Sequence, residues 1–155
     1  MDILSRLEEI LPLACKWVES QESLILKNGI MLSAQQLSDA NKIGVSYPEK
    51  IRVLPLAKIP RPLNPLLAAA CDQVNFLTNG TPGLTLRYGI FIRSDCENNR
   101  NLYAHELVHV RQYETLGGIP QFLKQYITEV VTLKYENAPL EQEAKSISSN
   151  ICKHL

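Results

Sequence analysis

The chain has 155 residues, 45% of them hydrophobic and 21% charged, values that are typical of one globular domain with its own core. Lysine and arginine together number 16, as do aspartate and glutamate, so the formal net charge is zero. This balance gives no general electrostatic attraction to nucleic acid or to an anionic membrane, and neither is expected as a partner.

The first residues do not resemble a signal peptide, because Asp2, Glu8 and Glu9 interrupt the apolar run, and no stretch reaches a membrane-spanning length. The cysteines form no Cys-x-x-Cys pair, which predicts free, mostly buried thiols. The four of them are Cys15, Cys71, Cys96 and Cys152. We therefore expect a cytoplasmic protein that forms a single domain over residues 1–155.

Two helices are predicted at the start of the chain. Hydrophobic residues at helical spacing indicate the first, from Asp2 to about Lys27, with Pro12 kinking or dividing it and Asn28-Gly29 ending it. A capping box at Ser33-Ala-Gln-Gln36 starts the second, which runs to about Lys42. Neither helix carries converging polar groups, so both are predicted to be scaffold.

A short strand and a third helix are predicted next. Lys50 to Leu56 is typical of a strand, and Pro55 indicates that it lies at a sheet edge or near its own end. Asn64 is predicted to cap a helix that has Pro65 at its first position and continues to about Leu77.

The strongest strand pattern follows the turn residues Thr78 to Gly83. From Leu84 to Arg93 the side chains alternate between two faces, which predicts one half-buried strand. Such a strand can bind an extended peptide by strand addition. We favour that role because of the helix that follows.

That helix is predicted from about Arg100 to Leu116 and contains the sequence His105-Glu-Leu-Val-His109. Histidines four residues apart lie on one face of a helix, where two imidazoles can bind one tetrahedral metal ion, usually zinc. Glu106 follows the first histidine and can reach a water activated by the metal. The chain has only 3 histidines, so a metal site explains this spacing better than an ordinary amphipathic helix does.

Two further helices complete the prediction. One runs from Pro120 to about Tyr135, and the other follows the break at Asn137-Ala-Pro139. The predicted fold class is therefore α+β, mostly helical, with a small sheet preceding the His-Glu-x-x-His helix.

Catalytic zinc has three protein ligands, so one must come from elsewhere in the chain. Gln112 and Thr115 stand where a metzincin has glycine and histidine, and no aspartate follows His109. Glu114 lies about 140° around the helix from His109 and points away. The other candidates are Glu129, Glu136, Glu141, Glu143 and His154.

The motif is similar to that of the gluzincins, the His-Glu-x-x-His metallopeptidases whose third ligand is a glutamate on a later helix. Glu141-Gln-Glu-Ala144 matches the first four positions of their second motif, while Lys145 replaces the usual Asp or Asn. The resemblance therefore implies that the usual hydrogen-bond partner of a metal-binding histidine is missing or comes from elsewhere. The segments 83–92, 105–118 and 138–144 together resemble a family of short bacterial His-Glu-x-x-His proteins, a resemblance that implies no particular substrate.

The resemblance implies a zincin-like fold and zinc-dependent hydrolysis of a peptide or protein substrate. It implies His105, His109 and Glu141 as zinc ligands and Glu106 as the general base. Glu143, beside Ala144, stays open as an alternative ligand.

Glu129 also stays open, since it lies 20 residues past His109, a separation that some gluzincins use. An oxyanion donor is expected as well, with four candidates: Tyr113, Tyr126, Tyr135 and His154. The alternative function is a zinc-binding regulatory or protein-interaction domain with little hydrolysis. A peptidase acting on protein–DNA adducts is disfavoured by the zero net charge.

Overall fold

The computed structural model describes residues 1–153, and His154 lies outside the described residues. Within that range the chain forms six α-helices and one four-stranded sheet, which confirms a mostly helical α+β fold. The helices are α1 (Leu7–Asn28), α2 (Ala34–Ile43), α3 (Pro65–Gln73), α4 (Arg100–Leu116), α5 (Ile119–Leu133) and α6 (Pro139–Lys153). The strands are β1 (Ile30–Met31), β2 (Arg52–Leu56), β3 (Gly83–Leu86) and β4 (Gly89–Arg93). Over residues 1–153, no helix has both the length and the apolar character needed to cross a bilayer.

The predicted starts of α2, α3 and α4 are confirmed, and a polar side chain caps each of them, whereas α1 begins at Leu7 and not at Asp2 as predicted. The Ser33 hydroxyl accepts from the Gln36 amide, and the Gln36 side chain accepts from the Ser33 amide, closing the capping box of α2. The side-chain oxygen of Asn64 caps α3, and that of Asn99 accepts from the Leu102 amide at the start of α4. Gly117 ends α4 with a φ of 106°, a left-handed conformation that glycine adopts without strain.

The single strand predicted from Leu84 to Arg93 is wrong, because the segment forms the β3–β4 hairpin. Arg87 adopts a φ of 60° at the turn, where the alternation of side chains gave no sign of a break. Glu22 of α1 holds this turn: its carboxylate accepts two hydrogen bonds from the Arg87 guanidinium and one from the Tyr88 amide. A tertiary contact therefore stabilises a turn that the local sequence does not predict.

The sheet order is β1-β2-β4-β3, with β2 and β4 parallel and the other pairs antiparallel. Of the two placements that Pro55 predicted, the sheet edge is wrong, and the position near the end of the strand is confirmed. The short strand β1 pairs only with Arg52 and Val53, so Pro55 has a neighbouring strand on one side only.

The third helix ends earlier than predicted, at Gln73 rather than about Leu77. Asn75 and Leu77 both have a φ of 55°, which stops the helical geometry. Leu77 is nevertheless only 2% exposed, because the changed backbone turns its side chain into the core. The apolar pattern thus continues past the point where the helix stops.

Helix α4 lies at the centre of the domain. Ala104, Leu107, Val108 and Val110 on this helix have no exposed surface, and α2, α6 and β3 pack around them. One buried cluster joins α2, α4, the sheet and α6, and a second joins α1, α3 and α5. The cysteines are free thiols, as predicted, but only Cys71 is buried.

Candidate metal centre

The centre forms where α4 crosses the first turn of α6. Helix α4 presents His105 and His109 on one face, and α6 places Glu141 opposite them. Ligand atoms of the three side chains all lie within 4.8 Å of one another, so the group could hold a metal ion. His105 Nε2 is 2.9 Å from one Glu141 carboxylate oxygen, and His109 Nε2 is 3.2 Å from the other.

The three side chains differ in their access to solvent. His109 and Glu141 are each 6% exposed, whereas the His105 side chain keeps 20% of its surface accessible. The His105 side of the centre is therefore the open one. A catalytic metal needs such a side, because a water or substrate atom must occupy one coordination position.

Gln112 fixes the protonation of His109. Its amide nitrogen donates to the Leu140 carbonyl and to Glu143, so its oxygen is the atom that accepts from His109 Nδ1, at 2.7 Å. With a proton on Nδ1, the neutral imidazole directs the lone pair of Nε2 at the Glu141 carboxylate. Two acceptors that face each other in this way are compatible only with a proton or a cation between them, and a metal ion satisfies both.

The charges in the centre are strongly coupled. Burial opposes ionisation of Glu141, but hydrogen bonds from His105 and His109 outweigh it and hold the pKa of this carboxyl far below its usual range. Burial likewise opposes protonation of His109, yet the Glu141 carboxylate raises its pKa to about 9. The surroundings thus favour a carboxylate at Glu141 and positive charge beside it.

Glu106 lies next to the ligands and is 5% exposed. The Thr85 hydroxyl of β3 donates to the Glu106 carboxylate at 2.8 Å, which fixes its orientation. A Cβ atom at Gly83 would come within 3.4 Å of the Glu106 side chain, so the glycine keeps the contact between β3 and this carboxylate close. Glu106 is not part of the group whose ligand atoms lie within 4.8 Å of one another.

The tyrosines considered as oxyanion donors are placed differently. Tyr113 donates to the Thr85 carbonyl, and Tyr126 donates to Glu141 at 2.6 Å. Tyr135 is 42% exposed and lines the cavity beside the centre. Burial of its ring and the nearby Glu141 carboxylate raise the pKa of Tyr135 well above its usual value, so its hydroxyl keeps its proton.

The competing carboxylates have other partners. Glu143 accepts from Gln112 and pairs with Arg111, while Glu129 accepts from the Leu140 amide at the start of α6. Glu114 accepts from the Ser46 and Tyr47 amides and is far from the centre, as predicted. Glu136 is exposed. Glu141 is therefore the carboxylate that the fold brings to the two histidines.

Two supporting residues were missed by sequence reasoning. Gln112 supplies the histidine partner that the departure at Lys145 left unassigned, and Thr85 orients Glu106. A signal existed for Gln112, since it lies three residues after His109 and so on the same helix face. Nothing in the local sequence linked Thr85 to Glu106, because the contact joins β3 to α4.

Comparison of the chain with protein-family models, with curated proteins and with solved structures found no match. The assignment of function therefore depends on the geometry of the centre, and the resemblance to gluzincins stays a prediction.

Proposed function

We propose that the protein is a small zinc metallopeptidase of gluzincin type. The observation that carries the proposal is the convergence of His105, His109 and Glu141, with Glu106 beside them and not among them. Two imidazoles and one carboxylate are a ligand set that zinc hydrolases use. Zinc bound there would supply Lewis acidity, polarising a carbonyl and lowering the pKa of a coordinated water.

The chain's own residues have separate roles in this proposal. Glu106, held by Thr85, takes a proton from the attacking water and later passes it to the leaving amine. The hydroxyls of Tyr113 and Tyr126 are already bonded to Thr85 and Glu141, and Tyr135 is the most exposed of the three tyrosines that line the cavity, so Tyr135 is the one that would donate to the developing oxyanion. Gln112 keeps His109 Nε2 directed at the metal position.

The sheet supports a peptide substrate. Strand β3 is an edge strand next to α4, and its Thr85 contacts Glu106 directly. An extended peptide that paired with this edge would pass beside the general base. The Tyr113 hydroxyl already donates a hydrogen bond to the Thr85 carbonyl, so a bound peptide would pair with the neighbouring backbone groups of β3.

Replacement of the general base separates catalysis from metal binding. Glu106→Gln keeps the size of the side chain but cannot accept a proton, so zinc content should stay while cleavage of a mixed peptide library falls at least about a hundredfold. Glu97→Gln, at an exposed position, is the matched control and should retain full activity.

Equal activity in Glu106→Gln would remove this residue from the mechanism. A wild-type protein that binds zinc and cleaves none of the peptides would instead support the zinc-binding regulatory domain.

A further inference from the structure

A cavity of about 740 Å³ begins at the metal centre and extends between α1, α3 and α5. Its polar end holds the three candidate ligands and Glu106. No lysine, arginine or aspartate of residues 1–153 lines it, and the glutamates in its walls are Glu106 and Glu141. Beyond the centre its walls are mainly apolar, with contributions from Ile10, Trp17, Leu67, Ala70, Leu123 and Val130.

The size of the cavity indicates a ligand. It equals the volume of about 25 water molecules in the liquid, more than one amino-acid side chain would fill. Water is poorly held in apolar surroundings, because each molecule needs polar partners. The cavity is open on the side of His105, so solvent enters it when no ligand is bound. An apolar ligand that enters from this side would release that water, which is favourable.

The walls also indicate what kind of ligand it is. A peptide carries an N–H and a C=O at every residue, and each of these groups needs a partner when it is buried. The tyrosine hydroxyls of Tyr113 and Tyr126, which line the cavity, are already bonded to Thr85 and Glu141. A hydrocarbon chain has no such requirement and matches the walls contributed by α1, α3 and α5, which are mainly apolar, whereas the asparagines and threonines of the lining lie outside these helices.

We propose that the cavity binds a linear acyl chain and that the substrate is a long-chain N-acyl amide, such as a fatty-acylated peptide. The cavity volume of about 740 Å³ lies within the range of small-molecule pockets, so it can accommodate a long acyl chain. This inference rests on the proposed function, because it places the scissile carbonyl at the metal centre and the chain in the cavity.

The reaction is hydrolysis of the acyl amide. The oxygen of water bonds to the carbonyl carbon, the carbon–nitrogen bond breaks, and the products are a fatty acid and an amine. Glu106 takes one proton from the water and delivers it to the amine nitrogen. No oxidant or further reactant is required.

Trp17 allows the chain site to be tested without catalysis. It is the only tryptophan of the protein and it lines the apolar part of the cavity. A bromine atom quenches tryptophan fluorescence on close contact, so alkanoic acids brominated at the last carbon report entry of the chain. We expect saturable quenching by bromododecanoate in both metal-free and zinc-loaded protein. Across bromohexanoate, bromooctanoate and bromododecanoate, affinity should rise about threefold to fourfold per added methylene.

Helix α3 offers a matched pair of variants. Ala70 is buried in the cavity wall, whereas Ala69 on the same helix is exposed and does not line the cavity. Ala70→Phe places a large ring in the path of the acyl chain and should weaken bromododecanoate binding at least about tenfold, while Ala69→Phe should leave it unchanged. Val74→Phe, also in the wall, is the second variant if Ala70→Phe does not fold as judged by circular dichroism.

The outcomes separate this inference from the proposed function. Quenching that does not saturate, affinity that is independent of chain length, or equal binding by folded Ala70→Phe would overturn the acyl-chain site, even if zinc binds. The acyl-chain site would also be overturned if a short apolar peptide competes with bromododecanoate at the same concentration as dodecanoate does. Chain-length-dependent quenching in a protein that fails to bind zinc would refute the peptidase and leave the acyl-chain site standing.

Discussion

Gln112→Met is expected to weaken zinc binding although residue 112 does not touch the metal position. Gln112 is 3% exposed, and its side-chain oxygen accepts from His109 Nδ1, with 2.7 Å between the two atoms. Methionine keeps a similar shape but offers no comparable acceptor, so the His109 ring loses the contact that orients it. Removal of such a partner typically reduces metal affinity tenfold to a hundredfold, or by about 1.4 to 2.8 kcal/mol.

The same substitution leaves the Leu140 carbonyl without its donor, which should lower the free energy of unfolding of the metal-free protein by about 1 to 3 kcal/mol. Zinc affinity is measured by competition with a chromophoric chelator, and unfolding by urea titration. Gln121→Met, at an exposed position of α5, is the control and should match wild type in both assays. If folded Gln112→Met binds zinc as tightly as wild type does, His109 is not held by Gln112 in the manner described.

Two further predictions concern the ion pairs that hold the scaffold. Asp39 is 1% exposed, and its hydrogen bonds with Arg100 hold its pKa below the usual value of about 3.9. The contribution of Asp39 to stability is therefore present above about pH 4 and is lost as pH falls toward the folded-state pKa. In urea titrations, Asp39→Asn should be less stable than wild type by about 1 to 3 kcal/mol at pH 7, and the two proteins should become equally stable in acid. A difference that stays constant across this pH range would contradict the argument. Arg87→Ala leaves the buried Glu22 carboxylate with only the Tyr88 amide as a donor, and should lower the free energy of unfolding by about 1 to 3 kcal/mol. This range allows for the 42% exposure of the Arg87 side chain. The control Lys16→Ala, on the exposed face of α1, should leave the free energy of unfolding unchanged.

The starts of α2, α3 and α4 and the end of α4 were predictable because the residues that set them act locally. Ser33, Asn64 and Asn99 cap the backbone within three residues of themselves, and Gly117 ends α4 by its own conformation. The two histidines also follow from local geometry, since a four-residue spacing places them together on a helix. These features depend on the sequence within one or two turns.

The errors arose where distant residues decide the local backbone. Arg87 and Tyr88 are not typical turn residues, and their turn depends on Glu22, 65 residues earlier than Arg87. The early end of α3 depends on the core accepting Leu77 from a left-handed backbone. Neither contact can be predicted from the spacing of hydrophobic residues along the chain.

The choice of Glu141 over Glu143 shows which parts of the site a sequence motif can predict. The match to Glu-x-x-Ala predicted Glu141, and the packing of α6 on α4 brings this carboxylate to both histidines. The hydrogen-bond partner of His109 was not predictable from that motif, because Lys145 departs from the motif and the partner is Gln112, which lies on α4. The ligand set followed from a pattern, whereas the groups that orient the ligands depended on how α4 packs against α6.

A titration of metal-free protein with zinc, against a chelator of known affinity, tests the central claim most directly. The account predicts one zinc per chain in the wild type and a loss of affinity of at least about tenfold in Glu141→Ala, with Glu129→Ala and Glu143→Ala near wild type. A wild-type protein that takes up no stoichiometric zinc, or a Glu141→Ala variant that binds it unchanged, would contradict the account.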